Sequence, residues 1–106
     1  MECRTPGIAP FPFHRFEGTP RDVGLQHGRR LGDRIQVSID LYASRFSSRS
    51  GLEWPEVLRR SETISDSLEA TSPDLHAEIE GIAVGAEQPL AAIVALNART
   101  MFLRAA

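Results

Sequence analysis

The sequence predicts a mainly α-helical chain of about four helices that follow one short N-terminal strand. The main observation is a set of four prolines that each stand at the start of a stretch with helical spacing: Pro20, Pro55, Pro73 and Pro89. Proline suits the first helical position because its fixed φ fits the helix and its missing N–H would be unpaired there. The length of 106 residues allows one domain at most.

The N-terminal part of the chain carries weaker signals of regular structure. Residues 1–10 contain proline and glycine without a periodic pattern, so we expect a flexible arm. Phe11 and Phe13 have the spacing of a strand, and Pro12 between them restricts that strand to a short segment or a sheet edge.

The prolines define predicted helices over residues 20–47, 54–70, 73–87 and 89–104. Thr19 and Asp22 have the positions of a capping box around Pro20, and Ser72 has the position of a cap before Pro73. The predicted loop between the first two helices is SSRSG, residues 47–51. One face of the second helix carries Val57, Leu58, Ser61, Ile64 and Leu68.

Small residues recur at every fourth position in two of these helices, and each set therefore lies on one helical face. They are Gly24, Gly28 and Gly32 in the first helix, and Ala77, Gly81 and Gly85 in the third. The glycines match no phosphate-binding pattern, because G-x-G-x-x-G is absent and the chain contains no lysine. A glycine inside a helix costs up to ~1 kcal/mol relative to alanine. We interpret both faces as sites of close packing, against each other or against a sheet.

The charge pattern bears on partners and location. The formal net charge is −2 and every basic residue is arginine, so we expect neither a nucleic-acid nor a membrane partner, and no lysine chemistry. Arginine in place of lysine suggests a GC-rich coding sequence and a bacterial source. Cys3 is the single cysteine, and no apolar run reaches the ~20 residues of a membrane span, so a cytoplasmic protein is expected.

The sequence alone yields no catalytic, cofactor-binding or metal-ligating residue. The three histidines lack metal-ligand spacing, and His27 is interpreted as a structural residue that is buried or half-buried. Asp33 and Asp40 share one helical face among arginines, as on a solvated surface. Polar residues also stand at the end of the apolar fourth helix, where they could join a polar network near a site or contact a substrate; they are Asn97, Arg99 and Thr100.

Three segments in this order resemble one enzyme family: GTPRDVGLQHG (18–28), PDLHAEIEGIAVGAE (73–87) and LNART (96–100). They are similar to the acyl-coenzyme A:6-aminopenicillanic acid acyltransferases, the isopenicillin N acyltransferase-like proteins, and the similarity covers most of residues 18–102. The resemblance implies an N-terminal nucleophile hydrolase, whose precursor cleaves itself at a Gly–Cys bond into an α-chain and a β-chain. It also implies a complete protein with a four-layer αββα sandwich, in which residues 11–106 are an incomplete α-chain-like region.

The resemblance further implies the chemistry of the complete enzyme. A cysteine attacks an amide or thioester, with its own α-amino group as the base, and a small acyl group is transferred or hydrolysed. The expected partners are the β-chain region that carries this cysteine and a small acyl-amide or acyl-CoA substrate. No cofactor is expected.

The sequence departs from the family pattern in two ways. It reaches Ala106 without a Gly–Cys junction, so we expect a chain that lacks the nucleophile and is inactive alone. Met101 stands where many relatives carry an acid. The alternative interpretation is a free-standing helical interaction or regulatory module, or a remnant gene product.

Overall fold

The computed structural model describes residues 18–104, apart from the side chains of Phe102 and Arg104. The expected arm over residues 1–10 and the expected strand at Phe11–Phe13 lie outside the described residues. Within residues 18–104 all regular structure is helical, which confirms the mainly α-helical prediction for this part of the chain. None of these helices has the length and apolar character needed to cross a membrane.

The described part contains five α-helices and a π-helical turn. They are α1 (Pro20–Arg45), the π-helical turn (Phe46–Ser50), α2 (Trp54–Thr71), α3 (Pro73–Ala86), α4 (Leu90–Asn97) and α5 (Arg99–Arg104). The predicted helix over residues 89–104 was wrong in its continuity, because Ala98 (φ −102°, ψ 16°) interrupts it. Pro89 caps α4 rather than occupying its first turn, and Pro55 is the second residue of α2.

The start of α1 follows the expected capping chemistry. The Thr19 hydroxyl accepts a hydrogen bond from the Asp22 amide, and the Asp22 carboxylate accepts one from the Thr19 amide, each at 3.2 Å. This reciprocal pair satisfies two amides that the helix itself leaves unpaired, and it confirms the capping box. Ser72 precedes α3, but its side chain makes no capping hydrogen bond, so that expectation was wrong.

Residues 47–51 continue the helical path instead of forming the predicted loop. The Leu52 amide donates to the Phe46 carbonyl at 3.1 Å, which closes a wide helical turn. Gly51 then ends the turn with φ at +68°, a left-handed conformation that glycine adopts without steric cost. The prediction missed this turn because its serines resemble loop residues, whereas Phe46 is completely buried and anchors the turn.

Helices α1 and α3 form the most extensive helix pair, and glycines line it from both sides. Gly24 faces Glu78 and Ile82, and Gly28 faces Ile82 and Ala86, so both helices advance in the same direction and lie parallel.

The apolar core lies beside this pair in two clusters of buried residues. One contains Phe46, Leu52, Val57 and Ala95, and the other contains Ile79, Ala83, Ile93 and Val94.

Candidate functional site

The α1–α3 interface brings two backbones into direct contact. A Cβ atom on Gly24 would overlap the Glu78 carbonyl oxygen and lie 2.9 Å from the Ile82 amide nitrogen. A Cβ atom on Gly81 would in turn overlap the Arg21 carbonyl oxygen. A carbonyl oxygen therefore stands where each glycine carries a Cα–H, which is the arrangement of a Cα–H···O contact.

Three further glycines of these two helices show how far the close contact extends. Gly28 and Gly85 also face carbonyl oxygens of the opposite helix, those of Ile82 and Leu25. Gly32 differs, because a Cβ atom there would lie 3.8 Å from the Ala86 Cα, an ordinary contact distance. The glycine faces therefore meet each other, and the close approach ends before Gly32.

An apolar groove of about 310 Å³ opens between α2, α3, the second half of α4 and the start of α5. It is lined by Ile64, Leu68, Leu75, Ile79, Val94, Asn97, Ala98, Thr100 and Met101. Leu75 and Met101 stand at its rim with 46% and 61% of their surface exposed. The groove thus joins two of the family-like segments, residues 73–87 and 96–100.

The polar residues of LNART are all exposed. The Asn97 side-chain amide donates to the Ile93 carbonyl at 3.0 Å, and the Arg99 guanidinium donates to the Leu96 carbonyl at 2.7 Å. Arg99 also lies 5.6 Å from the centre of the Tyr42 ring, a cation–π contact that ties α5 to α1. Asn97 and Thr100 line the groove, whereas Arg99 does not and contacts Leu96 and Tyr42 instead. A polar network that includes all three residues stays a prediction.

His27 is partly buried on α1, as expected. His76 was not singled out in the sequence, yet it is a buried polar residue between α2 and α3. Its Nε2 lies 3.0 Å from the Ser65 hydroxyl oxygen, and its Nδ1 lies 4.0 Å from a Glu80 carboxylate oxygen. One sequence signal could have indicated this buried polar contact. Ser65 follows Ser61 by one helical turn, so the apolar face of α2 carries two serines that need hydrogen-bond partners.

A second cavity of about 320 Å³ lies beside Ser65, on the side where α4 begins. Its lining is Glu62, Ser65, Asp66, Pro89, Leu90 and Ala91. Carboxylates make this cavity more acidic than the apolar groove. The two cavities share no lining residue, although α2 contributes to both.

Charged residues elsewhere follow the solvated pattern expected of helix surfaces. Asp33 and Asp40 are exposed, and Asp40 accepts a hydrogen bond from the Gln36 side chain at 3.0 Å. Arg59 and Arg60 both bind Glu56, and these hydrogen bonds lower the pKa of the Glu56 carboxyl to about 2. Among residues 18–104 no group of three or more histidine, cysteine or acidic side chains is arranged to hold a metal ion.

Comparisons with known proteins point to one class, the acyltransferases that use acyl-coenzyme A. The chain is 33% identical over 89 residues to the acyl-coenzyme A:6-aminopenicillanic-acid-acyltransferase 40 kDa form of Emericella nidulans. The match covers 81% of this chain and 24% of the relative, so the chain spans about a quarter of the relative's length. No family model matches the chain. The match supports a relationship to this class; the relative is fungal, and a bacterial source stays a prediction.

Proposed function

We propose that this chain is the N-terminal helical region of an acyltransferase-like enzyme, which transfers or hydrolyses a small acyl group of an amide or thioester. The observation that carries the proposal is the 33% identity to the fungal acyltransferase over 89 residues. The segments that resemble the family also supply the glycines in closest contact at the α1–α3 interface and part of the lining of the apolar groove.

In this proposal the chain contributes a scaffold and a second region contributes the chemistry. A β-region with an N-terminal cysteine would supply the nucleophile, with the cysteine's own amine as the base. The apolar rim at Leu75 and Met101 offers a surface on which such a region could dock. The substrate would be a small acyl-amide or an acyl-CoA, and the chain alone would not carry out this acyl transfer.

A chimera tests the proposal directly. The region of the Emericella nidulans enzyme that matches this chain is replaced by residues 18–104, and acyl transfer from acyl-CoA to 6-aminopenicillanic acid is measured. We expect a folded chimera with measurable acyl transfer. Gly28→Ala in the chimera should abolish that activity, because the added Cβ overlaps the Ile82 carbonyl, whereas Gly32→Ala should preserve it.

The controls separate a folding failure from a functional one. Circular dichroism and cooperative thermal unfolding establish that the chimera is folded, and the unmodified fungal enzyme sets the reference activity. A folded chimera without acyl transfer would contradict the proposal and favour a free-standing helical module. If the chimera does not fold, the 106-residue chain is co-expressed with the remaining region of the fungal enzyme. Failure of the two chains to form a complex would then count against the proposal.

A further inference from the structure

We propose that Ser65, His76 and Glu80 form a serine-based site that hydrolyses small carboxylic esters. This activity is separate from the proposed cysteine-dependent acyl transfer and does not rest on it. Its three residues come from α2 and α3, and Ser65 opens onto the acidic cavity at the start of α4.

The geometry places the imidazole ring between a hydroxyl and a carboxylate. The Ser65 hydroxyl oxygen lies 3.0 Å from Nε2 of His76, within hydrogen-bond distance. On the other side of the ring, Nδ1 lies 4.0 Å from Oε1 of Glu80. This is beyond hydrogen-bond distance, so Glu80 acts on the ring through its charge. With its proton on Nδ1, facing Glu80, the ring presents an Nε2 lone pair to the Ser65 O–H. This is the order of nucleophile, general base and orienting acid used in acyl transfer by serine.

Burial distinguishes this pair from an ordinary surface contact. Ser65 and His76 are each 6% exposed, and a hydrogen bond in such an environment is electrostatically stronger than in water. Ser61, one turn earlier on α2, provides the comparison within the same helix. It is also buried, but its hydroxyl donates to the Val57 carbonyl at 2.8 Å, the common contact of a serine inside a helix. Ser65 instead faces a base.

The adjoining cavity supplies room and polarity for an ester. It has a volume of about 320 Å³, enough for a small ester beside Ser65. Leu90 and Ala91 are the first two residues of α4 and line the cavity. Because the first N–H groups of a helix have no carbonyl within the helix to bind, the proposal assigns the oxyanion to the amides of these two residues. Glu62 and Asp66 also line the cavity and favour esters that carry a positive charge over anionic ones.

The reaction balances without any further reactant than water. The Ser65 oxygen attacks the ester carbonyl while its proton passes to Nε2 of His76. The tetrahedral intermediate expels the alcohol, which takes that proton, and an acyl-Ser65 ester remains. Water then loses a proton to His76 and attacks the acyl-enzyme. The second tetrahedral intermediate expels the Ser65 oxygen, which takes the proton back from His76, so the carboxylic acid is released and both residues are restored.

Labelling of the 106-residue chain with a fluorophosphonate tests the nucleophile, because such probes react with activated serines. We expect one adduct by intact mass, located at Ser65 by peptide mass spectrometry. Ser65→Ala should abolish the adduct, and the matched variant Ser61→Ala should retain it. His76→Gln, which can still hydrogen-bond Ser65, should slow labelling at least about 100-fold. An unlabelled wild-type chain, or an adduct that persists in Ser65→Ala, would overturn the proposal, and the wild-type result decides even where a variant does not fold.

Turnover tests the substrate class and the role of Glu80. Three p-nitrophenyl esters of similar size share one leaving group and differ only in the charge of the acyl chain. We expect the ester with a trimethylammonium group to be hydrolysed faster than the neutral ester, and the ester with a carboxylate to be the slowest, with the differences shrinking as salt is added. Glu80 acts through His76 as a positioning residue, so Glu80→Gln should lower kcat and leave KM unchanged. Equal rates for the cationic and anionic esters would refute the charge preference, and a Glu80→Gln change confined to KM would refute the positioning role.

Discussion

The two sides of this helical array are held together in different ways. Helices α1 and α3 meet backbone to backbone, with glycines where other helices carry side chains. On the other side, α2, α4 and the π-helical turn meet through large side chains, among them the fully buried Phe46 and Val57. One interface depends on the absence of Cβ atoms, and the other depends on filling space with side chains.

The difference explains where cavities occur. Helices α1 and α3 are in backbone contact, so a methyl group added at Gly24, Gly28, Gly81 or Gly85 would overlap backbone atoms of the opposite helix. Packing through side chains of unequal size leaves gaps, and α2 borders both the apolar groove and the acidic cavity. The glycine interface is therefore the closely packed part of the described chain, and the candidate sites lie on the side-chain-packed part.

The largest expected effect comes from breaking the side-chain interface at Phe46. This ring is fully buried, stacks with Trp54 at 6.4 Å between ring centres and lies 5.9 Å from the Tyr42 ring. Phe46→Ala should lower the free energy of unfolding by about 3–5 kcal/mol. Urea unfolding followed by circular dichroism measures the change. Val37→Ala, at a 67% exposed position of α1, is the control and should stay within about 0.5 kcal/mol of wild type.

The backbone interface is tested by adding one methyl group at two positions of the same helix. Gly24→Ala should destabilise the chain by about 1–3 kcal/mol, because its Cβ meets the backbone of α3. Gly32→Ala has room, so the better helix propensity of alanine should stabilise the chain by up to ~1 kcal/mol. Thermal unfolding of both variants gives the signs. The same sign at both positions would show that the glycines do not define the interface.

These glycines also mark how much of the fold could be predicted from the sequence. Spacing by four places residues on one helical face whatever the surroundings, so the small-residue faces of α1 and α3 were visible in advance. The break at Ala98 was not, because a short apolar helix carries no local signal for its end. The π-helical turn was missed for a tertiary reason, since the burial of Phe46 outweighs the loop preference of its serines.

The candidate sites were less accessible to sequence reasoning than the fold. Ser65 and His76 stand eleven residues apart on different helices, and their hydrogen bond depends on the angle at the Ser72–Pro73 junction. No spacing rule within one helix brings them together. Asn97 was expected inside one continuous helix over residues 89–104, but it is the last residue of α4 and lies exposed at the edge of the groove. Contacts between side chains of different helices depend on how the helices are placed in space, and the sequence pattern of one helix does not predict that placement.

The smallest expected effect concerns a third kind of contact, the ion pairs on the solvent side of α2. Hydrogen bonds from Arg59 and then Arg60 lower the pKa of Glu56 from its ordinary 4.5 to about 2. Because the folded pKa is the lower one, the stabilisation is present above pH 4.5 and is lost as the pH falls toward 2. At neutral pH it is small, since Arg59 is 68% exposed and water and salt screen the pair.

The test is the stability of Glu56→Gln measured between pH 7 and pH 2. We expect the variant to be slightly less stable than wild type at pH 7, and the difference to vanish as the pH approaches 2. Added salt should shrink the difference at pH 7, which neither the Phe46 nor the Gly24 effect would do, because those contacts carry no charge. Glu69→Gln, at an exposed position of the same helix, is the matched control for the loss of one carboxylate. A difference at Glu56 that persists at pH 2 would place the effect in packing rather than in charge.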